Sequence, residues 1–524
     1  MGNLCLVVLY DGIPFESLGL EAIRTYLQRN DINDVEIVIF KYIERDIDKF
    51  VYKLAGFDYV GISIMAENAL KVYDLSERIK AISHCTKVFL GGAFATLAYR
   101  QILTDCRFID FIVLGDGEKV IESILLGRER SFAKYIAYQN DFFNKKPYKM
   151  SICECKAIDH NMLNYNIFKR NKFAYIYTSK TCCANCSFCS SDFYINSGKP
   201  RWGGRRSIDD VFQEIKQLNL EKGYRIFSFT DASFEDPGNN GKKYINELCD
   251  LIISYSTKLS FNCYFRADSF DYNDSELIKK MKKAGFDTIL IGIESMDKND
   301  LLIYNKIATP RDNERSYLLF KNSGFNVKIG MIIFNPYTTI NSLEKNFHFL
   351  TENRFYVSGY YKNRLEVYYG TPIYYRLKSD GLLREDYSYL KCHNLKYIDK
   401  NIQDIIEKVD SSYNAEVSNL EFEFVNFMDL YNAVLNIYGL EKSPDAYIFE
   451  DIKEELFITI SEYYKTLYFC KNTERDSIIS DKYNRKMIDI YRKVNIKKLK
   501  ILKSKYFRDF FKESVIRNAK DMSH

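Results

Sequence analysis

The sequence predicts an α/β chain in three parts: an N-terminal doubly wound parallel sheet, a central partial (β/α)6 barrel of the TIM type, and a C-terminal helical domain. Three observations predict it. Short apolar runs alternate with helix-spaced segments over residues 1–130 and again over 171–385. The second series opens on a run, Phe173–Ser179, that leads straight into a group of cysteines. From about residue 386 the spacing is helical alone. Short buried strands alternating with helices give parallel sheets covered on both faces. A chain of 524 residues is long enough for two to four domains that each bury a core.

In the first segment, Leu4–Tyr10, Val35–Phe40, Tyr59–Ile64, Val88–Gly91 and Phe111–Leu114 read as strands. Leu18–Arg29, Ala69–Ile82 and a stretch from Lys119 read as helices. Such sheets take ligands at the carboxyl ends of their strands. Glycines fall there, in Gly61-Ile-Ser63, in Gly91-Gly92 and in Gly115-Asp-Gly-Glu118. They suit the close approach of a flat or phosphate-bearing ligand, and serve equally well as strand-to-helix turns.

After a connector over 131–170, the second series continues through helix Ser207–Leu218, strand Arg225–Asp231, helix Lys243–Tyr255 and strand Ser260–Arg266. Helix Asp274–Ala284, strand Thr288–Gly292, helix Asp312–Ser323, strand Asn326–Phe334, helix Leu343–Asn353 and strand Tyr360–Tyr368 complete six units. The working face of such a barrel is the carboxyl-terminal rim of its strands. Beyond it, Glu416–Tyr438, Ile452–Phe469 and a lysine-rich Lys493–Lys512 read as helices, the last closing the fold with a solvated basic face.

The chemistry is concentrated in Thr181-Cys-Cys-Ala-Asn-Cys-Ser-Phe-Cys189. Three and then two residues separate Cys182, Cys186 and Cys189, so one loop can wrap one corner of a [4Fe–4S] cube. Three thiolates for four irons leave one iron open to a substrate or cofactor. Three other readings stand beside this one. Cys183 offers a ferredoxin-like register without the fourth Cys-Pro. A zinc site would need a fourth ligand, and no Cys or His follows until Cys249. Thiols can also act as plain core hydrophobes.

Composition narrows the class. Thirteen cysteines, odd in number and mostly scattered, do not form a disulfide framework and point to a reducing, cytoplasmic setting. No apolar run reaches the roughly 18–20 residues of a membrane span, and the first residues read as a strand rather than a signal peptide. With 75 basic against 70 acidic residues there is no footprint for nucleic acid.

The cysteine loop, with Phe188 before its last Cys, resembles the signature of the radical S-adenosylmethionine (SAM) superfamily. Phe229-Thr-Asp-Ala-Ser-Phe234, Ile291-Gly-Ile-Glu294-Ser295, Asn305-Lys306 and Tyr369-Gly-Thr-Pro372 are similar to its later strand ends, in the right order. Gly61-Ile-Ser63-Ile-Met65, Gly91-Gly92-Ala-Phe-Ala-Thr96 and Val113-Leu-Gly-Asp-Gly-Glu118, with Pro14–Leu20, resemble the cobalamin-binding domain that precedes many of these barrels. The chain departs from related domains at the loop that gives cobalamin an axial histidine. Ile13 stands where that His would be, and His84 reads as a surface residue.

The resemblance implies a [4Fe–4S] cluster held by Cys182, Cys186 and Cys189, SAM on the open iron, and cobalamin without a protein imidazole. It assigns Phe188 to the adenine, Asp231 to the SAM ammonium, Arg266 to its carboxylate and Glu294 to the ribose. Arg266 and Glu294 read equally as members of rim charge networks. Ser63, Gly91, Gly92 and Gly115 would line cobalamin. The implied activity is methyl transfer to an unactivated carbon of a natural product or peptide, with flavodoxin or ferredoxin as reductant and no membrane or nucleic-acid partner. A cobalamin-independent radical epimerase, cyclase or rearrangement enzyme is the alternative, and a non-catalytic iron–sulfur protein a remote one.

Overall fold

The computed structural model describes residues 2–10, 16–42, 47–164, 173–180, 182–190, 204–470 and 476–520. Ile13, Thr181 and part of Pro14–Leu20 lie outside the described residues. The chain forms two compact units. The first is residues 1–214 with 367–375 and 385–394, and the second is residues 215–366 with 376–384 and 395–524.

In the first unit the order is β1 (Leu4–Tyr10), α1 (Leu18–Arg29), β2 (Val35–Lys41), α2 (Ile47–Leu54), β3 (Tyr59–Ser63), α3 (Ala69–Ile82), β4 (Lys87–Gly91), α4 (Ala93–Asp105), β5 (Phe111–Val113), α5 (Glu118–Leu125) and β6 (Ile136–Tyr138). The spatial order is β2-β1-β3-β4-β5-β6, parallel except for β6, which runs antiparallel to β5 at the edge. Alternation of strand and helix dictates this, because each βαβ crossover returns the chain parallel to itself. The core is aliphatic: Val7, Val60, Ile62, Val88 and Leu90 from the strands meet Leu54, Val72, Leu75 and Ile102 from the helices. Helices α2 and α4 were not expected from the sequence. Strand β7 (Phe173–Ile176), also in this unit, leads into the cysteine loop.

In the second unit β8 (Ile226–Phe229), β9 (Ser260–Arg266), β10 (Phe286–Glu294) and β11 (Asn326–Met331) lie side by side, all parallel. Their interior is filled with rings. Phe227, Phe229, Phe234, Phe261 and Phe286 are fully buried, with Phe229 and Phe234 stacked at 4.4 Å and Phe261 and Phe286 at 5.2 Å between centroids. Capping boxes set two helix starts earlier than expected, Thr309 opening Pro310–Asn322 and Thr339 opening Ile340–Glu352.

Two expectations are corrected. The sixth strand, Tyr360–Tyr368, does not form: Gly359–Lys362 is one helical turn, and the chain returns to the sheet only in the bridge of Phe334 to Arg364. The turn sends Tyr361 wholly into the core, stacked at 5.4 Å on Tyr464, where a strand would have put Tyr360 and Tyr361 on opposite faces. The lysine-rich closing segment is two helices, Asp476–Leu502 and Lys505–Lys520, not one. The break at Lys503-Ser504 brings Phe507, fully buried, against Phe427 and Tyr431 of helix Ala415–Tyr438. No helix among the described residues is long and apolar enough to cross a membrane.

Candidate active site

The cysteine loop keeps its cysteines partly accessible rather than sealed in the core. Cys182, Cys186 and Cys189 are half-exposed, as are Cys183 and Phe188. The loop is pinned by short-range bonds: Cys189 N–H donates to Cys186 O at 3.2 Å, and Ala184 N–H lies 3.4 Å from the Cys182 sulfur. The carbonyl of buried Ser187 accepts from Ile373 N–H at 3.0 Å, which ties the loop to the segment after Thr371. Among the described residues no three His, Cys, Asp or Glu side chains converge on a single ion. A cube does not require that, since each thiolate binds a different iron, whereas tetrahedral zinc does. Half-exposed thiols on one pinned loop therefore fit a three-corner cluster.

The rim of the second unit is carboxylate-rich. Asp231, just past β8, is 1 % exposed, and burial together with Glu235 and Asp231 pushes the Cys263 thiol of β9 well up. Arg266, the last residue of β9, is committed to protein carboxylates: Asp236 at close range, Asp268 at 3.3 Å and Glu235 at 3.8 Å. Glu235 is fully buried, and burial raises its carboxyl against the pull of Arg266. Its Oε1 accepts from Ser233 at 2.9 Å and from Arg266 N–H at 3.1 Å, while its Oε2 has no hydrogen-bond partner. An orphaned buried carboxylate oxygen at a strand end fits a cationic ligand such as an ammonium.

Glu294 ends β10 with a left-handed φ of 65°, a conformation rare for a side-chain-bearing residue and common at working sites. The turn aims its carboxylate back along the sheet. A Cβ on Gly292 would lie 2.9 Å from Glu294 Oε1, and one on Gly330 3.3 Å from Oε2, so both glycines make room for it. Lys306 Nζ donates to Gly292 O at 2.9 Å and stands 3.7 Å from Glu294.

At the carboxyl edge of the first sheet the materials differ. Ser63 and Gly91 are ladder partners at the ends of β3 and β4, and Gly92 follows with φ 100°. A Cβ on Gly91 would meet nothing within 4 Å, and one on Gly92 only Ser63 Oγ at 3.7 Å and Ile64 O at 3.9 Å, both ordinary contacts. This is open backbone surface, fit for a flat ligand that needs approach more than side-chain contacts. Gly115 is glycine for another reason: a Cβ there would lie 2.1 Å from Tyr148 O, so the crossing of the connector demands it. Thr96 binds both loops, donating to Gly92 O and accepting from Gly115 N–H. His84 is exposed beyond the end of α3.

Residues 176–350 match the radical SAM superfamily model and residues 5–125 the B12-binding domain model. The chain carries a B12-binding domain and a radical SAM domain. Among curated relatives, it is 25% identical over 343 residues to an uncharacterized methyltransferase of Pyrococcus horikoshii, covering 63% of this chain and 72% of that one. It is 24% identical to the bacteriochlorophyllide d C-8(2)-methyltransferase of Chlorobaculum tepidum, covering 64% and 71%. It spans 46% of the anaerobic magnesium-protoporphyrin IX monomethyl ester cyclase of Cereibacter sphaeroides, at 27% identity over 54% of this chain. Among solved structures, the cobalamin-dependent SAM radical enzyme OxsB, with aqua-cobalamin and SAM bound, superposes with a TM-score of 0.67 over 98% of this chain and 84% of its own. The methyltransferase TsrM of Kitasatospora setae, with cobalamin and a [4Fe–4S] cluster bound, gives 0.53 over 67% and 74%. Both are 16% identical, so that likeness is one of fold.

The two domains make the protein an enzyme whose cofactors are a [4Fe–4S] cluster, SAM and cobalamin. Three features of the site went unread in the sequence. Glu235 and Asp236 join Asp231 to put three acids within seven residues of the end of β8, a pattern legible in the sequence. In the B12-binding domain, Asp116 and Glu118 both accept from Lys180 Nζ at 3.2 Å. Their attraction, outweighing burial, holds the Lys180 amine well above the usual range. The third feature is His160, wholly buried between Glu16 and Glu214 at 2.7 Å each.

Proposed function

We propose that this enzyme transfers a methyl group to an unactivated carbon of a small natural product or peptide, using cobalamin and SAM together. One observation carries the reading. Lys180, two residues before the first cluster cysteine, is bonded to both acids of the loop at the end of the B12-binding sheet. The loop offered to the cluster and the loop offered to cobalamin are thus tied within one compact unit. The curated methyltransferases support the same reading.

When bound, the cluster and SAM supply a 5′-deoxyadenosyl radical and cobalamin supplies the methyl group. The chain's own residues bind, orient and exclude water around them. Cys182, Cys186 and Cys189 hold three irons. Asp231, with the unpartnered oxygen of Glu235, accepts from the SAM ammonium. Arg266, its direction fixed by the carboxylates that grip it, faces the SAM carboxylate. Glu294 bonds the ribose hydroxyls, and Phe188 packs beside the adenine. Ser63, Gly91, Gly92 and the Gly115 turn present backbone to cobalamin. A cytoplasmic flavodoxin or ferredoxin provides electrons. The cyclase relatives favour a second reading in which the radical closes a ring and no methyl is transferred.

The test is anaerobic expression with cobalamin and methionine labelled in its methyl group with deuterium. Labelled methyl appearing in a product, and vanishing in Cys182→Ala, supports methyl transfer. Radical-dependent products without the label overturn it in favour of cyclisation.

A further inference from the structure

The missing sixth strand leaves a consequence at the floor of the second unit. Strand β11 is an edge strand, and its first residues, Asn326, Val327 and Lys328, line a half-open cleft of about 530 Å³. That volume lies within the roughly 300–1,000 Å³ of small-molecule sites. Met331, at the other end of β11, is the ladder partner of Glu294. At about 3.3 Å per residue the cleft therefore begins about 10 Å below the rim. It is a different place from the carboxylates that face SAM.

The walls of the cleft are flat. Tyr317, Phe325, Phe355, Tyr356, Tyr360 and Phe457 line it, coming from three helices and the loops between them. Its charges are nearly all matched. Lys328 pairs with Asp429 at 2.6 Å, Lys453 with Glu450 at 2.7 Å, and Arg354 with Glu454 at close range. Lys321 is the exception: among the described residues no carboxylate pairs with it, and its ammonium lies 5.1 Å over the Tyr317 ring. Partial burial holds its amine below the usual range, a cost that an arriving anion would remove. One uncompensated cation beside tilted and edge-on rings selects a ligand that is planar at one end and anionic at the other.

We propose that this cleft is a second binding site, for an aromatic carboxylate held with its ring among the tyrosines and phenylalanines and its carboxylate on Lys321. The site is separate from the radical centre and does not depend on what that centre methylates.

The test is titration calorimetry of the reconstituted holoenzyme with indole-3-acetate and its neutral amide, indole-3-acetamide, in saturating SAM. The acid should bind with SAM present, and the amide should bind more weakly. Lys321→Gln should weaken the acid by about 10–150-fold, the loss of one charge-assisted hydrogen bond, and leave the amide unchanged. Val357→Trp, which fills the cleft, should abolish both. Equal binding of acid and amide, displacement by SAM, or an affinity indifferent to Lys321→Gln would overturn the site. So would failure of the acid to bind at millimolar concentration.

Discussion

The two sheets of this molecule solve the same problem, ligand at the carboxyl ends of parallel strands, with different materials. The edge of the B12-binding sheet is backbone: Ser63, Gly91 and Gly92 offer space and no charge. The rim of the radical SAM sheet is side chain: Asp231, Glu235, Asp236 and Glu294 crowd it with carboxylates, and Arg266 is paired among them. A large, flat cofactor held over wide area gains from approach, whereas a small cation such as SAM gains from a few directed charges. Bulk should therefore harm the first edge and charge removal the second. The variants that follow set those two sensitivities against each other.

The largest effect is expected at the cysteine loop. Alanine at Cys182, Cys186 or Cys189 should abolish iron binding and SAM cleavage, while Cys183→Ala keeps both, as iron assay and the cluster absorbance would report. Retention of iron in Cys182→Ala with loss in Cys183→Ala would assign the other register. Gly92→Val should expel cobalamin while SAM cleavage persists. The left-handed backbone there costs a side chain roughly 1–3 kcal/mol and its bulk enters the open edge. Cobalamin bound as before, read from the visible spectrum, would break the comparison on its backbone side.

Charges in the first unit are structural rather than ligand-directed, and His160 shows it. His160→Ala should destabilise that unit by about 3–5 kcal/mol, because it removes the imidazolium from between buried Glu16 and Glu214 and leaves Glu214 with Arg206 alone. Burial alone would lower the His160 pKa, but the attraction and hydrogen bonds of Glu16 and Glu214 raise it from 6.5 to about 10. A raised value means that the proton favours the folded state. This contribution is complete below about pH 6.5 and is lost as pH rises through about 10. Thermal melts from pH 6 to 10 should fall for the wild type and flatten for His160→Gln. The smallest effect belongs to the rim. Glu294→Gln and Asp231→Asn should each weaken SAM by about 10–150-fold with iron intact. Unchanged affinity in both would show that SAM is held by other groups.

Legibility followed periodicity. Helices Leu18–Arg29 and Ala69–Ile82 are plain because their burial repeats at helical spacing, and strands Leu4–Tyr10 and Ser260–Arg266 because they are short apolar runs. Helix α2 was passed over although its apolar stripe is strong, because at eight residues it is too short to stand out from a loop. The sixth strand is not legible because Tyr360–Tyr368 has β-favouring residues, and the tertiary contacts of Tyr361 with Tyr464 and Phe355 O favour a helical turn there. At the site, the cysteines are legible because all three share one short loop. The bonds of Lys180 to Asp116 and Glu118, 62 to 64 residues away, are not, since no local pattern encodes so long a reach.

Whether both edges are filled in one molecule is tested most directly by reconstituting the anaerobic protein with iron, sulfide and hydroxocobalamin, then adding SAM and a reductant. The account predicts about one cobalamin and one [4Fe–4S] cluster per chain, with 5′-deoxyadenosine released. A protein that refuses cobalamin yet still releases 5′-deoxyadenosine would contradict cobalamin-dependent methyl transfer.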